Sequence, residues 1–163
     1  MGKLIFAFVV IGAVLGFMVR SGQRPLPQAQ LERAAAMARA TDKALDTVLE
    51  RQPNGHFYVD ALVNGKLVHF LVDTGASGVA LTQDDARTVG ITVDPTKFEI
   101  VGRGASGDVR GQRVDIHHIA IGQKEAWDLP SVVLTDMDIS LLGQTYLSQI
   151  GSLTIENNRM TLR

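Results

Sequence analysis

The chain contains no cysteine. Disulfides and thiolate metal sites are thereby excluded, while the compartment stays open, because a cysteine-free domain is compatible with oxidising surroundings without requiring them. A basic surplus is also missing. The formal net charge is -1, with seven Lys/Arg against four Asp/Glu before Pro53 and nine against thirteen from Pro53 onward. An acidic C-terminal two-thirds, with no basic stripe and no aromatic platform, argues against nucleic acid as a partner. No phosphate loop or dinucleotide fingerprint is present, since Gly102-x-Gly104 lacks the strand-to-helix context. His117 and His118 are adjacent on a candidate strand and face opposite sides, which makes them poor joint metal ligands, and His56 and His69 are isolated. Neither a metal nor a cofactor is expected.

What is present reads as one modest globular domain with an appendage: 163 residues, 45% hydrophobic and 20% charged. Leu4 to Val19 is an uncharged apolar run bracketed by Lys3 and Arg20. As a helix it spans roughly 24 Å at about 1.5 Å per residue, a little less than the ~30 Å hydrocarbon core, with both cations placed to snorkel. Residues 1–20 are therefore read as an N-terminal membrane anchor. The rival reading is a cleavable signal peptide, although Val19-Arg20-Ser21-Gly22 makes a poor cleavage site. Basic residues on both flanks leave the orientation ambiguous by charge; a short tail ahead of a first helix favours an inside N-terminus with the bulk exported.

Residues 21–52 are read as a linker and helical spacer: a Gly/Pro-containing stretch from Ser21 to Pro27, then an Ala-, Leu-, Arg- and Glu-rich helix from Gln28 to Arg51. Its apolar stripe is thin and a sustained heptad is missing, so a solvated spacer is favoured over a coiled coil. From Gly55 the period changes to that of strands, and residues 53–163 form the candidate domain. Phe57, Val59, Ala61 and Val63 alternate with Tyr58, Asp60 and Leu62, Asn64-Gly65 signals a hairpin, and Lys66 to Val72 returns. Val79 to Leu81 is a short strand. Thr82 with Asp85 three residues on opens a short helix ending near Gly90. Phe98 to Val101, a glycine-rich tip and Val109 to Ile121 form a further hairpin. Trp127 is read as a packing residue. Asp84 and Asp85 fit a helix start, and Asp136 and Asp138 are read as solvated loop charges. Ile139 to Gly143 is an apolar strand stopping at glycine, Gln144 to Ile150 a short helix, and Ser152–Ile155 and Arg159–Leu162 a terminal hairpin. The pattern is that of an all-β, barrel-like domain with short helices.

The chemistry-bearing stretch is Phe70-Leu71-Val72-Asp73-Thr74-Gly75-Ala76-Ser77. A strand ending on an ionisable side chain holds that side chain rigidly, and the glycine permits a sharp turn and close approach. Turn chemistry alone would explain Asp and Gly here equally well.

Asp73-Thr74-Gly75 after apolar residues resembles the active-site motif of retropepsin-like aspartic proteases. The resemblance covers about residues 55–163: a hairpin precedes the motif, a glycine-rich hairpin follows some thirty residues later where that family places its flap, and Leu141-Leu142-Gly143 precedes a short helix. With the apolar N-terminus, the chain is similar to the membrane-anchored bacterial members. The resemblance implies a retropepsin-like acid-protease barrel preceded by a transmembrane helix and spacer, with the anchor in the bacterial inner membrane and the domain in the periplasm. It implies Asp73 as catalytic carboxylate, Thr74, Gly75, Ala76, Ser77, Leu142 and Gly143 as support of the active-site loop, and Arg103, Gly104, Ala105, Ser106 and Gly107 as the flap over substrate. Two positions depart from the retroviral pattern: Ser77 and Gly78 stand where acidic residues often anchor substrate, and Gln144 where arginine is common.

Peptide hydrolysis of this class needs two carboxylates sharing one proton. Only one Asp-Thr-Gly is present and no half is duplicated. The implied enzyme is thus a symmetric homodimer acting on a protein or peptide substrate, with Asp73 of each copy on the two-fold axis. The competing readings are a catalytically inactive barrel that binds peptides or serves as a scaffold, and an N-terminal assembly module with the domain as passenger.

Overall fold

The computed structural model describes residues 45–104 and 107–163, together with positions 28–29, 32–33 and 35–37. The chain divides into two units, Met1–Ala40 and Thr41–Arg163. In the first, the described positions are helical and exposed. Leu4 to Val19, the expected anchor, lies outside the described residues. Among the described residues, no helix is long and apolar enough to cross a membrane.

The second unit is mostly β. Strands β2 (Tyr58–Val63) and β3 (Lys66–Val72) form the expected hairpin, in register from Tyr58↔Leu71 to Val63↔Lys66. Asn64 and Gly65 both take positive φ, 49° and 80°, as a two-residue hairpin turn requires. Alternation puts Val59, Ala61, Val63, Val68, Phe70 and Val72 inside. Next come β4 (Val79–Leu81), helix α1 (Gln83–Thr88), the hairpin of β5 (Glu99–Gly104) and β6 (Gly107–Ile121), β7 (Lys124–Leu134), β8 (Ser140–Leu142) and helix α2 (Gln144–Leu147). The order β2-β3-β8-β4-β7-β6-β5, with β6 also pairing β2 at Leu62↔Ala120 and Val63↔Ile119, closes six strands into a barrel. Phe70, Leu81, Ile116, Ile119, Leu129, Leu142 and Tyr146 fill it and are fully buried. Each contributes roughly 1.5–3 kcal/mol of transfer free energy.

A correction concerns the spacer. The helix read as running to Arg51 does not reach it: Thr47–Glu50 is a strand, β1, paired antiparallel with β10 (Arg159–Leu162), which pairs in turn with β9 (Leu153–Glu156). The folded unit therefore includes residues assigned to the spacer 21–52, and its start lies ahead of Pro53. Leu49 faces the side occupied by Met160 and Leu162, which are buried, while Val48 is exposed. Pairing and burial outweigh the helical preference of neighbouring residues, since propensity is a weak prior beside tertiary contacts.

Trp127 packs, as expected, but on the surface. It is 51% exposed, with the His118 ring stacked on it at 4.0 Å. His117 meets the same ring edge-on at 5.3 Å and also pairs with Asp128 at 2.8 Å. Among the described residues, no group of three or more His, Asp or Glu side chains is placed to hold a metal.

Candidate active site

Asp73 continues β3 by one residue. The parallel ladder Phe70↔Ser140, Leu71↔Leu141, Val72↔Leu142 runs on into a bond from the Asp73 N–H to the Leu142 carbonyl, 3.1 Å. The chain then turns on its own side chain: Asp73 Oδ1 accepts the Gly75 N–H at 2.9 Å. A Cβ on Gly75 would stand 3.3 Å from that oxygen, a tight approach.

Behind this loop lies the segment after β8. A side chain on Gly143 would meet the Gly78 carbonyl oxygen and, at 2.7 Å, that of Ala76, so the backbones touch only because Gly143 has none. Gln144 donates twice, from its N–H to the Ala76 carbonyl (2.9 Å) and from Nε2 to the Thr74 carbonyl (2.8 Å). Thr145 Oγ1 accepts the Val79 N–H at 3.0 Å. The loop is thus clamped at Asp73, Thr74, Ala76 and Val79, while Leu142 is fully buried beneath it. Gly143 touches the Ala76 and Gly78 backbone, and the Leu142 carbonyl accepts the Asp73 N–H. Gln144 and Thr145 were missed as supports. Their signal was position: polar side chains in the first turn of a helix that starts directly under the loop.

A further bracket holds the next turn. The Thr82 N–H donates to Ser140 Oγ (3.1 Å), Ser140 Oγ–H donates to Asp85 Oδ2 (2.5 Å), and the Asp85 N–H donates to Thr82 Oγ1 (3.1 Å). The expected cap of α1 is present, closed through a hydroxyl from β8 rather than directly by Asp85. Asp84 is exposed and paired with Arg87. Asp136 and Asp138 are exposed, as read. In α2, Tyr146 is buried and its hydroxyl donates to the Lys124 carbonyl at 2.8 Å. Burial pushes that hydroxyl well above the ordinary tyrosine range.

Over the loop stands the β5–β6 hairpin. Its ladder ends at Arg103↔Asp108 and Gly104↔Gly107, with Arg103 Nε 3.0 Å from Asp108 Oδ1 and Gly107 at φ 118°. Ala105 and Ser106, also expected at the tip, lie outside the described residues. Between hairpin and loop is a cavity of about 680 Å3, lined among others by Gly75, Ala76, Ser77, Arg103 and Gly104. Asp73 is half-buried and Thr74 exposed, and neither is among the lining residues. Within the protomer and among the described residues, the Thr74 hydroxyl has no hydrogen-bond partner and Asp73 no ion pair. The loop therefore presents a carboxylate and a free hydroxyl at an open edge of the cavity, not deep inside it.

A family model described as "gag-polyprotein putative aspartyl protease" matches residues 59–149. An uncharacterized protein of Rickettsia prowazekii is 32% identical over 117 residues, 72% of this chain and 51% of its own length. A second uncharacterized protein, from the cobV 5′ region of a Sinorhizobium species, is 31% identical over 98% of this chain and 71% of its length. The chain thus spans about half of the first relative. Among solved structures, a retropepsin-like aspartic protease from Rickettsia conorii superposes with a TM-score of 0.61 at 34% identity, covering 72% of this chain and 89% of that one. The EIAV protease complexed with the inhibitor HBY-793 superposes with a TM-score of 0.50 at 19% identity, over 61% of this chain and 91% of that one, a likeness of fold.

Proposed function

The chain belongs to the retropepsin-like aspartic proteases, and on that premise we propose that it is a membrane-tethered endopeptidase, active as a homodimer. The carrying observation is the Asp73 loop: one carboxylate at a strand end, backbone clamped from behind, with an exposed Thr74 at the open edge. One protomer offers half of the chemistry. Across a two-fold axis the two Asp73 carboxylates cannot both ionise easily, and the pair holds one proton. The ionised member takes a proton from water as its oxygen attacks the scissile carbonyl carbon, and the protonated member donates to the carbonyl oxygen. Collapse of the tetrahedral adduct breaks the C–N bond as the nitrogen takes up a proton. The Thr74 hydroxyl bonds across the axis and stiffens both loops. The hairpin ending at Arg103–Gly107 closes over an extended peptide and sheds water.

The uncharged run Leu4–Val19, with Lys3 and Arg20 at its ends, supports anchoring in the inner membrane of a bacterium with the domain on the periplasmic side. Such a tether raises the local concentration of protomers and favours a weak dimer.

The test is Asp73→Asn, assayed on a peptide mixture at several pH values. The expected loss in kcat/KM is about 1,000-fold or more. Joining one wild-type and one Asp73→Asn protomer in a single chain should abolish most activity as well. Equal cleavage by wild type and variant sinks the assignment. Peptide binding without turnover, insensitive to Asp73→Asn, favours the inactive scaffold instead.

A further inference from the structure

We propose that Asp115 selects the charge of the bound peptide, drawing a lysine or arginine side chain against the β6 wall of the cavity. This rests on reading the cavity as the peptide cleft of a protease. Two rows of residues cross its floor. In one, Asp115 on β6 stands opposite Pro130 on β7, whose carbonyl oxygen lies 4.0 Å from where a Gly78 Cβ would be. That row ends on the loop that follows Asp73. In the other, Arg113 stands opposite Val132, then Ala80, then Leu141. Residues of both rows line the cavity. Two residues along a strand separate them, roughly 6.6 Å, with side chains on the same face.

The charges along this lining are unequal in their partners. Arg103 is paired with Asp108 at 3.0 Å and Arg113 with Glu99 at 3.0 Å. Asp115 has neither an ion pair nor a side-chain hydrogen bond among the described residues, and it is exposed. The floor of its own row, Ser77, Gly78 and Pro130, brings no charge. The cavity therefore carries one carboxylate without an ion pair, level with the loop; its own row is otherwise uncharged, and Arg113, two residues along, is held by Glu99. A cationic side chain from the substrate completes the balance, and an anionic one is repelled.

The experiment uses the full chain in detergent micelles and two peptides identical except for Lys or Glu at one position. That position is the one at which a randomised library shows its strongest charge preference. Wild type should prefer the lysine peptide about tenfold in kcat/KM, expressed mainly in KM and shrinking as salt rises. Asp115→Asn should remove the preference, and Asp115→Lys should invert it, which a merely structural role would not do. Cleavage that Asp73→Asn abolishes but whose charge preference is the same in all three proteins overturns the role of Asp115 alone. No cleavage of any library member, by wild type or by Asp73→Asn, overturns the protease reading and this inference with it.

Discussion

The loop after Asp73 and the β5–β6 hairpin face each other across one cavity, yet they are held in opposite ways. The loop is bonded at four backbone positions, one to Leu142 of β8 and three to the residues after it, and touches that chain backbone to backbone at Gly143. The outer hairpin has its own two strands and surface ion pairs, Arg103–Asp108 and Arg113–Glu99, with Ile100 58% exposed. Few buried contacts and solvent-facing hydrogen bonds mark a segment that opens at low cost. In the proposed dimer the difference assigns work: a carboxylate meeting a symmetry mate needs a fixed floor, whereas a roof over substrate has to move.

The sharpest way to break this contrast is to loosen the floor. Gly143→Ala forces a methyl group into two carbonyl oxygens and should cost about 3 kcal/mol or more, read by denaturant unfolding, with activity falling alongside. If the variant is as stable as wild type, the backbones are not in contact. A second perturbation is chemical. Tyr146 is buried with its acid form favoured, so its contribution is intact below the unfolded value near pH 10 and is lost as pH rises beyond it. Unfolding free energy should fall by about 1.4 kcal/mol per pH unit there, and Tyr146→Phe should remove that dependence. Smaller again is Gln144→Ala, which frees the Thr74 carbonyl at an exposed site. About 1 kcal/mol is expected, with a larger relative loss in kcat than in stability. The least effect belongs to the roof. Arg103→Ala removes an exposed ion pair and should change stability by under about 0.5 kcal/mol. A loss as large as that of Gly143→Ala would mean that the hairpin is as fixed as the loop.

Local chemistry was legible in the sequence. Asn64-Gly65 and Asn157-Asn158 turn with positive φ at all four residues, and Thr82 caps its helix. The strands around Asp73 follow period-two alternation. What was not legible is set by partners distant in sequence. Thr47–Glu50 sits beside an Ala-rich helical stretch and becomes a strand because β10 pairs with it. Gln144 drew notice as a departure, but its bond to Thr74 crosses 70 positions. Asp115 is one polar residue in a long strand, and only the ladder from β6 through β7 to the loop places it in the cavity.

The pairing of β1 with β10 also sets a schedule. Glu50 and Arg159 are 109 positions apart and joined by an ion pair. β10 supplies Met160 and Leu162 to the interior. On a ribosome, β1 leaves the exit tunnel early and has nothing to pair with until residues 159–162 follow. At typical elongation rates of about 5–20 residues per second, that wait lasts on the order of ten seconds. Until then β1 is an unpaired strand and the interior lacks two side chains, so the domain acquires its full structure only once β10 has emerged.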